Sequence, residues 1–477
     1  MKTFYVTTPI YYANDKPHVG HAYTTVSADV LARYHRQKLG KEKVLFLTGT
    51  DEHGQKIAEA AEKAGQSPND FVDALVPRFE DTWRSLNISN DIFMRTTKPE
   101  HLKFVQEFLS KLKDSGAIYK GEYVGFYCVG CEEYKTETQL VDGKCPLHPN
   151  MTPEERKEEN YFFKFKELAS KVREKIVNGE LEVLPVERRN EVLARLDGEL
   201  HDLSISRPAS LADRPGLSWG IPVPWDENHT IYVWVEALLN YASALTNPDR
   251  QDFWPPNVQL MAKDILWFHA AIWPALLLAN GRELPKTIFA HGFFTIDGQK
   301  MSKTLGNVID PNELVARYGV DATRYFLLSA VPFGSDGDLA ASRFAEVYQS
   351  DLANGLGNLL NRTVTLLGRS ELAIEPDANA QCADVDEALE SLQLDEGLRV
   401  IWQIVRLANK QLEEAKPWEL IKHPEERERL EEVLTNSYRQ LETIAVGLTP
   451  YLPETSAKIL VQLKSGLAEP IFPRIVE

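Results

Sequence analysis

"TFYVTTPIYYANDKPHVGHAYTTVSADVLARYHRQKLG" (residues 3–40) passes from an apolar run, through a proline and two histidines, into a long amphipathic stretch. The opening TFYVTTPIYY reads as a buried strand. HAYTTVSADVLARYHRQKLG carries apolar residues at helical spacing, and Gly40 marks its stop. A second strand signal, VLFLTGTDEHG, leads into the helical QKIAEAAEKAG. Strand, helix, strand, helix is the pattern of a parallel, doubly wound α/β sheet.

Residues 121–165 break this alternation with short strand-like pieces and a cysteine cluster, which read as an insertion. The alternation resumes at TIYVWVEALLNYASAL and VQLMAKDILWFHAAIWPALLLA, as the second half of the interrupted sheet. From about residue 340 the signals are helical, with EPDANAQCADVDEA expected as a polar loop between the first helices.

The 477 residues, 43% of them hydrophobic, suffice for about three domains. The longest apolar stretches are about half of the ~20 residues needed to span a bilayer, and MKTFYVTTPI lacks the features of a secretory signal. No membrane association is expected, and a cytoplasmic location is. With 53 basic and 70 acidic residues the net charge is −17, which excludes bulk electrostatic attraction to nucleic acid. Any RNA partner must be held by local patches. Four cysteines in a chain of this length do not make a disulfide framework, and three of them lie between 128 and 145, which points to a metal.

His18 and His21, three residues apart, fall on one side of the first turn of the expected helix. Backbone N–H groups, the helix dipole and imidazole donors there suit an anion, and Gly20 admits close approach. Taken alone, the pair also fits metal ligands or satisfied core residues. Far along the chain, GQKMSKTLGN (298–307) places Lys300 and Lys303 around Ser302, so that two ammonium groups can meet a polyphosphate.

Together the two motifs resemble the HIGH and KMSKS signatures of class I aminoacyl-tRNA synthetases, written here HVGH and KMSKT, with Val19 and Thr304 as conservative departures. The segments TPIYYAN, GTDEHG, DLSISR, WGIPVP, YVWVEA, AKDILWFH, AHGFF and KPW, spread over most of the chain, look like those of the methionyl-tRNA synthetase family.

That resemblance implies activation of methionine by ATP, giving methionyl-adenylate and pyrophosphate, and transfer of the methionyl group to the terminal adenosine of tRNA(Met), initiator included. It assigns His18, His21, Lys300 and Lys303 to catalysis. It assigns these four with Gly20, Asp264, His291, Gly292 and Ser302 to ATP, Asp264 as the ribose-binding carboxylate and His291 and Gly292 beside the adenine. Ile10, Tyr12, Trp234, Ala237, Leu238, Tyr241 and His269 are its methionine-pocket positions, with Asp51 as counter-charge to the ammonium. Leu238 stands where the family often has proline. Methionine needs a long apolar slot with aromatic walls. Such a slot discriminates a missing methyl by only ~1–3 kcal/mol, so some activation of homocysteine is expected. Mg2+ is expected to arrive with ATP, bound to its phosphates.

Cys128 and Cys131 form CxxC and, with 13 residues between the pairs, Cys145 and His148 form CxxH. This spacing suits one tetrahedral Zn2+ with no open position, hence a structural ion. Cys382 stands apart as an ordinary thiol. In the helical region, residues 351–477 carry 13 basic and 22 acidic residues, so charge alone does not suggest RNA. The resemblance assigns Asn358, Arg362 and Trp418 to the anticodon, in keeping with recognition of single-stranded bases by stacking and edge hydrogen bonds.

The expected domains are 1–115 and 226–290 as the two halves of a Rossmann-like catalytic domain and 116–225 as the zinc-knuckle insertion. The lysine loop and stem-contact region takes 291–345, and an all-α anticodon-binding bundle takes 346–477. A monomer is expected. The competing readings are another class I synthetase, with a different pocket, a small-molecule nucleotidyltransferase, and a non-catalytic RNA-binding protein. The last has no use for two intact phosphate motifs.

Overall fold

In the computed structural model, which describes residues 2–130, 133–135, 137, 140–146, 148–209, 219–301, 306–340 and 343–475, the chain forms two units. The first comprises residues 1–16, 45–81 and 90–290; the second comprises 17–44, 82–89 and 291–477.

The first unit is built on a six-stranded sheet. Strands β1 (Phe4–Tyr12), β2 (Val44–Asp51) and β3 (Ile92–Arg95) run outward on one side, in the order β3-β2-β1. Strands Val258–Ala262, Thr287–His291 and Glu182–Leu184 follow β1 on the other side. The registers Leu47↔Ile92, Val6↔Val258 and Thr287↔Glu182 are parallel. All eight residues of β2 are buried, as expected of a strand covered on both faces. Strand order reverses between β1 and Val258–Ala262, and a crevice at the carboxyl ends of strands is where a doubly wound sheet binds ligands. Ile10 and Tyr12 end β1, Asp51 ends β2, and Asp264 lies two residues beyond Ala262.

Two expectations change here. TIYV does not extend the parallel sheet: Asp226–Ile231 pairs antiparallel with Ser206–Pro208 and with Pro222–Val223, in a separate three-stranded sheet. Conversely, Glu182–Leu184, inside the 116–225 span, joins the parallel sheet as its edge strand. Its three residues are too few to show a period, and only their partner Thr287–Phe289 reveals them. The body of the insertion is an antiparallel sheet led by Ile118–Cys128 and Glu154–Phe163, paired over ten residues.

The second unit contains α1 (Val19–Leu39), which ends at Gly40, and the helices after residue 310. In helix Leu394–Ala415 the buried Leu398, Ile401, Trp402, Val405, Ala408 and Leu412 repeat at three and four residues, one stripe facing its neighbours. The 375–388 stretch is only partly loop, because its second half enters helix Ala383–Glu390, with Val385, Ala388 and Leu389 buried. Three apolar residues among acidic ones gave too weak a period to identify it. Cys382, just before that helix, is buried.

The centre of this unit is an ion pair. Asp29 of α1 and Arg324 of helix Val320–Ser329 are both fully buried, 2.8 Å apart. Asp29 also accepts from Arg33 and from the Ser89 N–H, while Arg324 donates to the carbonyls of Tyr451, Pro450 and Leu86. Burial pushes the Asp29 carboxyl up, but Arg324 and Arg33 outweigh it and hold it below its ordinary value. Among the described residues, no helix is long and apolar enough to cross a membrane.

Asp29→Ala leaves the Arg324 guanidinium buried without its carboxylate and should cost about 3–5 kcal/mol in urea denaturation. In the unmodified chain the depressed carboxyl contributes stability above its unfolded pKa of about 3.9, and that stability is lost as pH falls below it.

Candidate active site

Pro17 and His18 end the chain's approach to α1, and His18 is the helix N-cap. Its Nδ1 accepts the Gly20 N–H at 3.1 Å, and His21 Nδ1 accepts the His18 N–H at 3.3 Å, a capping box made of imidazoles. The rings stack, with centroids 3.8 Å apart. Because each Nδ1 is an acceptor, each neutral ring carries its proton on Nε2. The Val19 N–H is also engaged, by the Ile309 carbonyl at 3.1 Å. The turn therefore differs from the expected cradle of open backbone N–H groups: its first donors are bonded within the chain, and the directional donors are the two Nε2–H groups.

Gly20 keeps this turn tight, since a Cβ there would lie 2.9 Å from the His18 ring and 3.5 Å from the Met301 methyl. Met301 of KMSKT thus packs against Gly20 of HVGH within one unit. Lys300 closes strand Gln299–Lys300, while Ser302, Lys303 and Thr304 lie outside the described residues. His291 is buried. Its Nδ1–H donates to the Gly292 carbonyl at 2.8 Å, and its Nε2 accepts from the Thr24 hydroxyl of α1 at 2.6 Å. Both ring nitrogens are occupied, so His291 acts by holding α1.

The apolar cluster lies in the first unit. Trp234 stacks on Phe268 at 4.3 Å and 6°. Ala237, Leu238, Tyr241 and His269 are buried, and Ile10, Tyr12 and Trp234 pack against the core that contains Leu238 and Tyr241. His269 Nδ1–H donates to the Ile265 carbonyl, so its Nε2 accepts the Tyr241 hydroxyl at 2.8 Å. Burial lowers the His269 pKa to about 4. Burial raises the Tyr241 phenol well above its ordinary value, with the charge of Asp51 among the smaller contributions. Asp51 is buried and its carbonyl accepts the Ala13 N–H. Asp264 is exposed, in a short turn after Ala262.

Sequence reasoning missed a buried charge network beside Asp51. His53 Nδ1 lies 2.9 and 3.0 Å from the two oxygens of Glu236, which is fully buried. Burial pulls the imidazole down, but Glu236 and, more weakly, Glu52 hold it above its ordinary value. Glu52 accepts from Arg95 through both oxygens and from Thr50 and Thr97. Trp219 caps the group, donating to the Glu52 carbonyl and meeting the His53 ring edge-on at 5.2 Å. The signal was proximity: His53 and Glu236 each stand two residues after a site candidate.

In the insertion, Cys128, Cys145 and His148 offer ligand atoms all within 4.8 Å of one another, and Cys145 and His148 face each other in an antiparallel bridge. Sγ of Cys128 and Cys145 lie 3.8 and 3.9 Å from His148 Nδ1. Tetrahedral zinc with bonds of about 2.0–2.3 Å needs ligand separations close to these, so the three residues fit the ion. Cys131 lies outside the described residues. In the helical region, the Arg362 guanidinium sits 4.5 Å over the Trp418 ring and bonds Glu413 at 3.0 Å, while Asn358 is exposed one turn earlier on the helix of Arg362.

Burial lowers His291 to about 4 as well as His269. An NMR titration should find both imidazoles neutral from pH 8 to below 5. Each depressed histidine contributes stability above its unfolded pKa of about 6.5, which is lost as pH falls from there towards 4.

The family model for tRNA synthetases class I (M) matches residues 4–152 and 148–364. The methionine–tRNA ligase of Caldanaerobacter subterraneus subsp. tengcongensis is 44% identical, covering 98% of this chain and 74% of that one. The enzyme of that name from Nostoc sp. is 43% identical, covering 98% and 91%. Among solved structures, Mycobacterium tuberculosis methionyl-tRNA synthetase in complex with methionyl-adenylate superposes with a TM-score of 0.88 at 36% identity, covering 96% of this chain and 93% of that one. With Met301 of the lysine motif against the histidine turn, and with likeness over nearly its whole length, the chain belongs to the class I tRNA synthetases (M).

Proposed function

We propose that this chain is a methionine–tRNA ligase: it activates methionine with ATP to methionyl-adenylate and pyrophosphate, then transfers the methionyl group to the 3′-terminal adenosine of tRNA(Met). The observation that carries this reading is the imidazole-capped turn of α1, two stacked rings whose Nδ1 atoms accept backbone N–H groups, with Met301 packed against Gly20.

Neither step needs a protein nucleophile, so the residues act by position and charge. His18 and His21 donate to the phosphate chain of ATP, and Lys300 and Lys303 neutralise the charge that grows as pyrophosphate leaves, with Mg2+ bound to the phosphates. Asp264 takes the ribose; Gly20 and Ser302 line the nucleotide, and His291 and Gly292 lie beside the adenine, His291 fixed by its bonds to Thr24 and to the Gly292 carbonyl. Ile10, Tyr12, Trp234, Ala237, Leu238, Tyr241 and His269 surround the methionine side chain, with Asp51 opposite its ammonium. The neutral His269, fixed by Ile265 and Tyr241, presents no charge to the thioether.

Cys128, Cys131, Cys145 and His148 hold one Zn2+, which ties the insertion together and leaves no position for substrate. Residues 1–115 and 226–290, joined by the edge strand Glu182–Leu184 and without the antiparallel strand Asp226–Ile231, supply the catalytic domain, that antiparallel strand and the rest of 116–225 the insertion, 291–345 the lysine loop and stem contact, and 346–477 the bundle. There Asn358, Arg362 and Trp418 meet the anticodon, initiator tRNA included. The enzyme acts as a monomer in the cytoplasm, where its three substrates meet.

ATP–pyrophosphate exchange with methionine, homocysteine, leucine, isoleucine, valine and cysteine tests the reading. Methionine should dominate, homocysteine should follow about 10- to 200-fold behind, and His21→Ala should lose about 10²–10³-fold. Dominance of another amino acid would overturn the pocket assignment, and no exchange at all would overturn the enzyme reading. Metal analysis should find one zinc per chain, lost together with the fold of the insertion in Cys145→Ser.

A further inference from the structure

Strand Phe294–Ile296 turns through Asp297 and Gly298, whose φ angles of 50° and 74° make the tight turn favoured by Asp-Gly, and returns as Gln299–Lys300. Among the described residues Gln299–Lys300 is the outer strand of this three-stranded sheet, paired with Phe294–Ile296, with Thr295 opposite Lys300. A two-stranded hairpin is at best marginally stable alone. What steadies this one comes from its other side, the segment 335–339.

Gly337–Asp338 pairs parallel with Phe294–Thr295. The Gly337 N–H donates to the Phe293 carbonyl, the Leu339 N–H to the Thr295 carbonyl, and the Phe293 N–H to Asp336 Oδ1. One atom does more than extend the ladder. Asp338 Oδ1 accepts the Thr295 hydroxyl at 2.7 Å and the Gly298 N–H at 2.8 Å, so a single carboxylate oxygen ties the body of the hairpin to its turn. These bonds, Gly298 first, hold the carboxyl below its ordinary value.

We infer that Asp338 is a positioning residue for Lys300: by fixing Thr295 and Gly298 together, it sets the path of the outer strand that carries Lys300. This rests on the reading of Lys300 as a phosphate-binding residue. Asp338 touches no reacting atom, so its removal acts through the hairpin. The step that suffers is the one in which the lysine meets developing phosphate charge, and methionine binding is spared.

Pyrophosphate exchange at saturating ATP, with the methionine concentration varied, tests this on the full chain. Asp338→Ala should lower kcat by about 10- to 100-fold and leave the KM for methionine within about twofold. Asp338→Asn keeps an Oδ1 acceptor and should recover most of the rate. Thr295→Val, which removes one of the two donors while keeping the side-chain shape, should give an intermediate loss and serves if Asp338→Ala fails to fold. In a Lys300→Ala background, Asp338→Ala should add little, because both act on one event.

A wild-type kcat for folded Asp338→Ala, or for Thr295→Val where Ala does not fold, would overturn the inference. So would full additivity with Lys300→Ala, or equal damage to kcat and methionine KM. If Lys300→Ala itself leaves exchange intact, the reading of Lys300 fails, a result distinct from a harmless Asp338→Ala beside a damaging Lys300→Ala.

Discussion

The hydrogen bond from the Gly20 N–H to His18 Nδ1, with its counterpart from the His18 N–H to His21, orients every other atom of the first turn of α1. A helix start leaves up to four N–H groups in need of acceptors, and most helices answer with a hydroxyl or carboxylate. Here imidazoles answer, which has two consequences. The backbone donors are taken up inside the protein, and the tautomer of both rings is set with the proton on Nε2. A motif that looks like a phosphate loop without its glycines is therefore built by another route: in the proposed function the phosphate donors are side-chain N–H groups, on rings oriented by the caps they make. His291 extends this logic. It fixes Thr24, one turn further along α1, and has no ring nitrogen left over for a ligand.

What the sequence made legible follows from the range of each interaction. β1 and β2 are largely apolar runs and α1 carries apolar residues at helical spacing, and each signal is written in consecutive residues. The HVGH and KMSKT motifs and the CxxC…CxxH spacing are likewise local. Glu182–Leu184 was not legible, because three residues have no period and the strand exists through its pairing with Thr287–Phe289, a hundred residues away. The TIYV run misled for the opposite reason. It has good strand character, but its partners are Ser206–Pro208 and Pro222–Val223, and alternation along a chain says nothing about which sheet a strand enters. The Asp338 clamp was hidden in the same way, since Asp338 and Gly298 lie 40 residues apart.

Buried charge shows the same division. The chain is acidic overall, yet several of its interior charges come in closed groups, among them Asp29 with Arg324 and Arg33, Glu52 with Arg95, and Glu236 with His53. Each carboxylate is matched by a cation or by hydroxyl and backbone donors, as a low-dielectric interior requires. The groups do different work. Asp29–Arg324 joins α1 to the Pro450–Tyr451 turn of the same unit through carbonyl bonds, and is structural. His53–Glu236 stands beside Asp51 and Trp234, where it stiffens the walls around the proposed methionine ammonium site.

An acidic protein that handles a polyanion must confine its attraction to chosen points. With 22 acidic against 13 basic residues in 351–477, counterion release gives little general affinity for RNA, and long-range steering opposes approach. A contact built on Arg362 and Trp418 escapes this limit, because stacking on an indole and a guanidinium plane depends on the face of a base more than on its phosphate. The guanidinium already lies 4.5 Å over the ring and bonds the Glu413 carboxylate, so in the proposed anticodon contact less freedom would be lost on binding a base. The same carboxylate lowers the net charge of the patch. Affinity at such a surface comes from shape and stacking, and nucleic acid that merely carries charge gains nothing there.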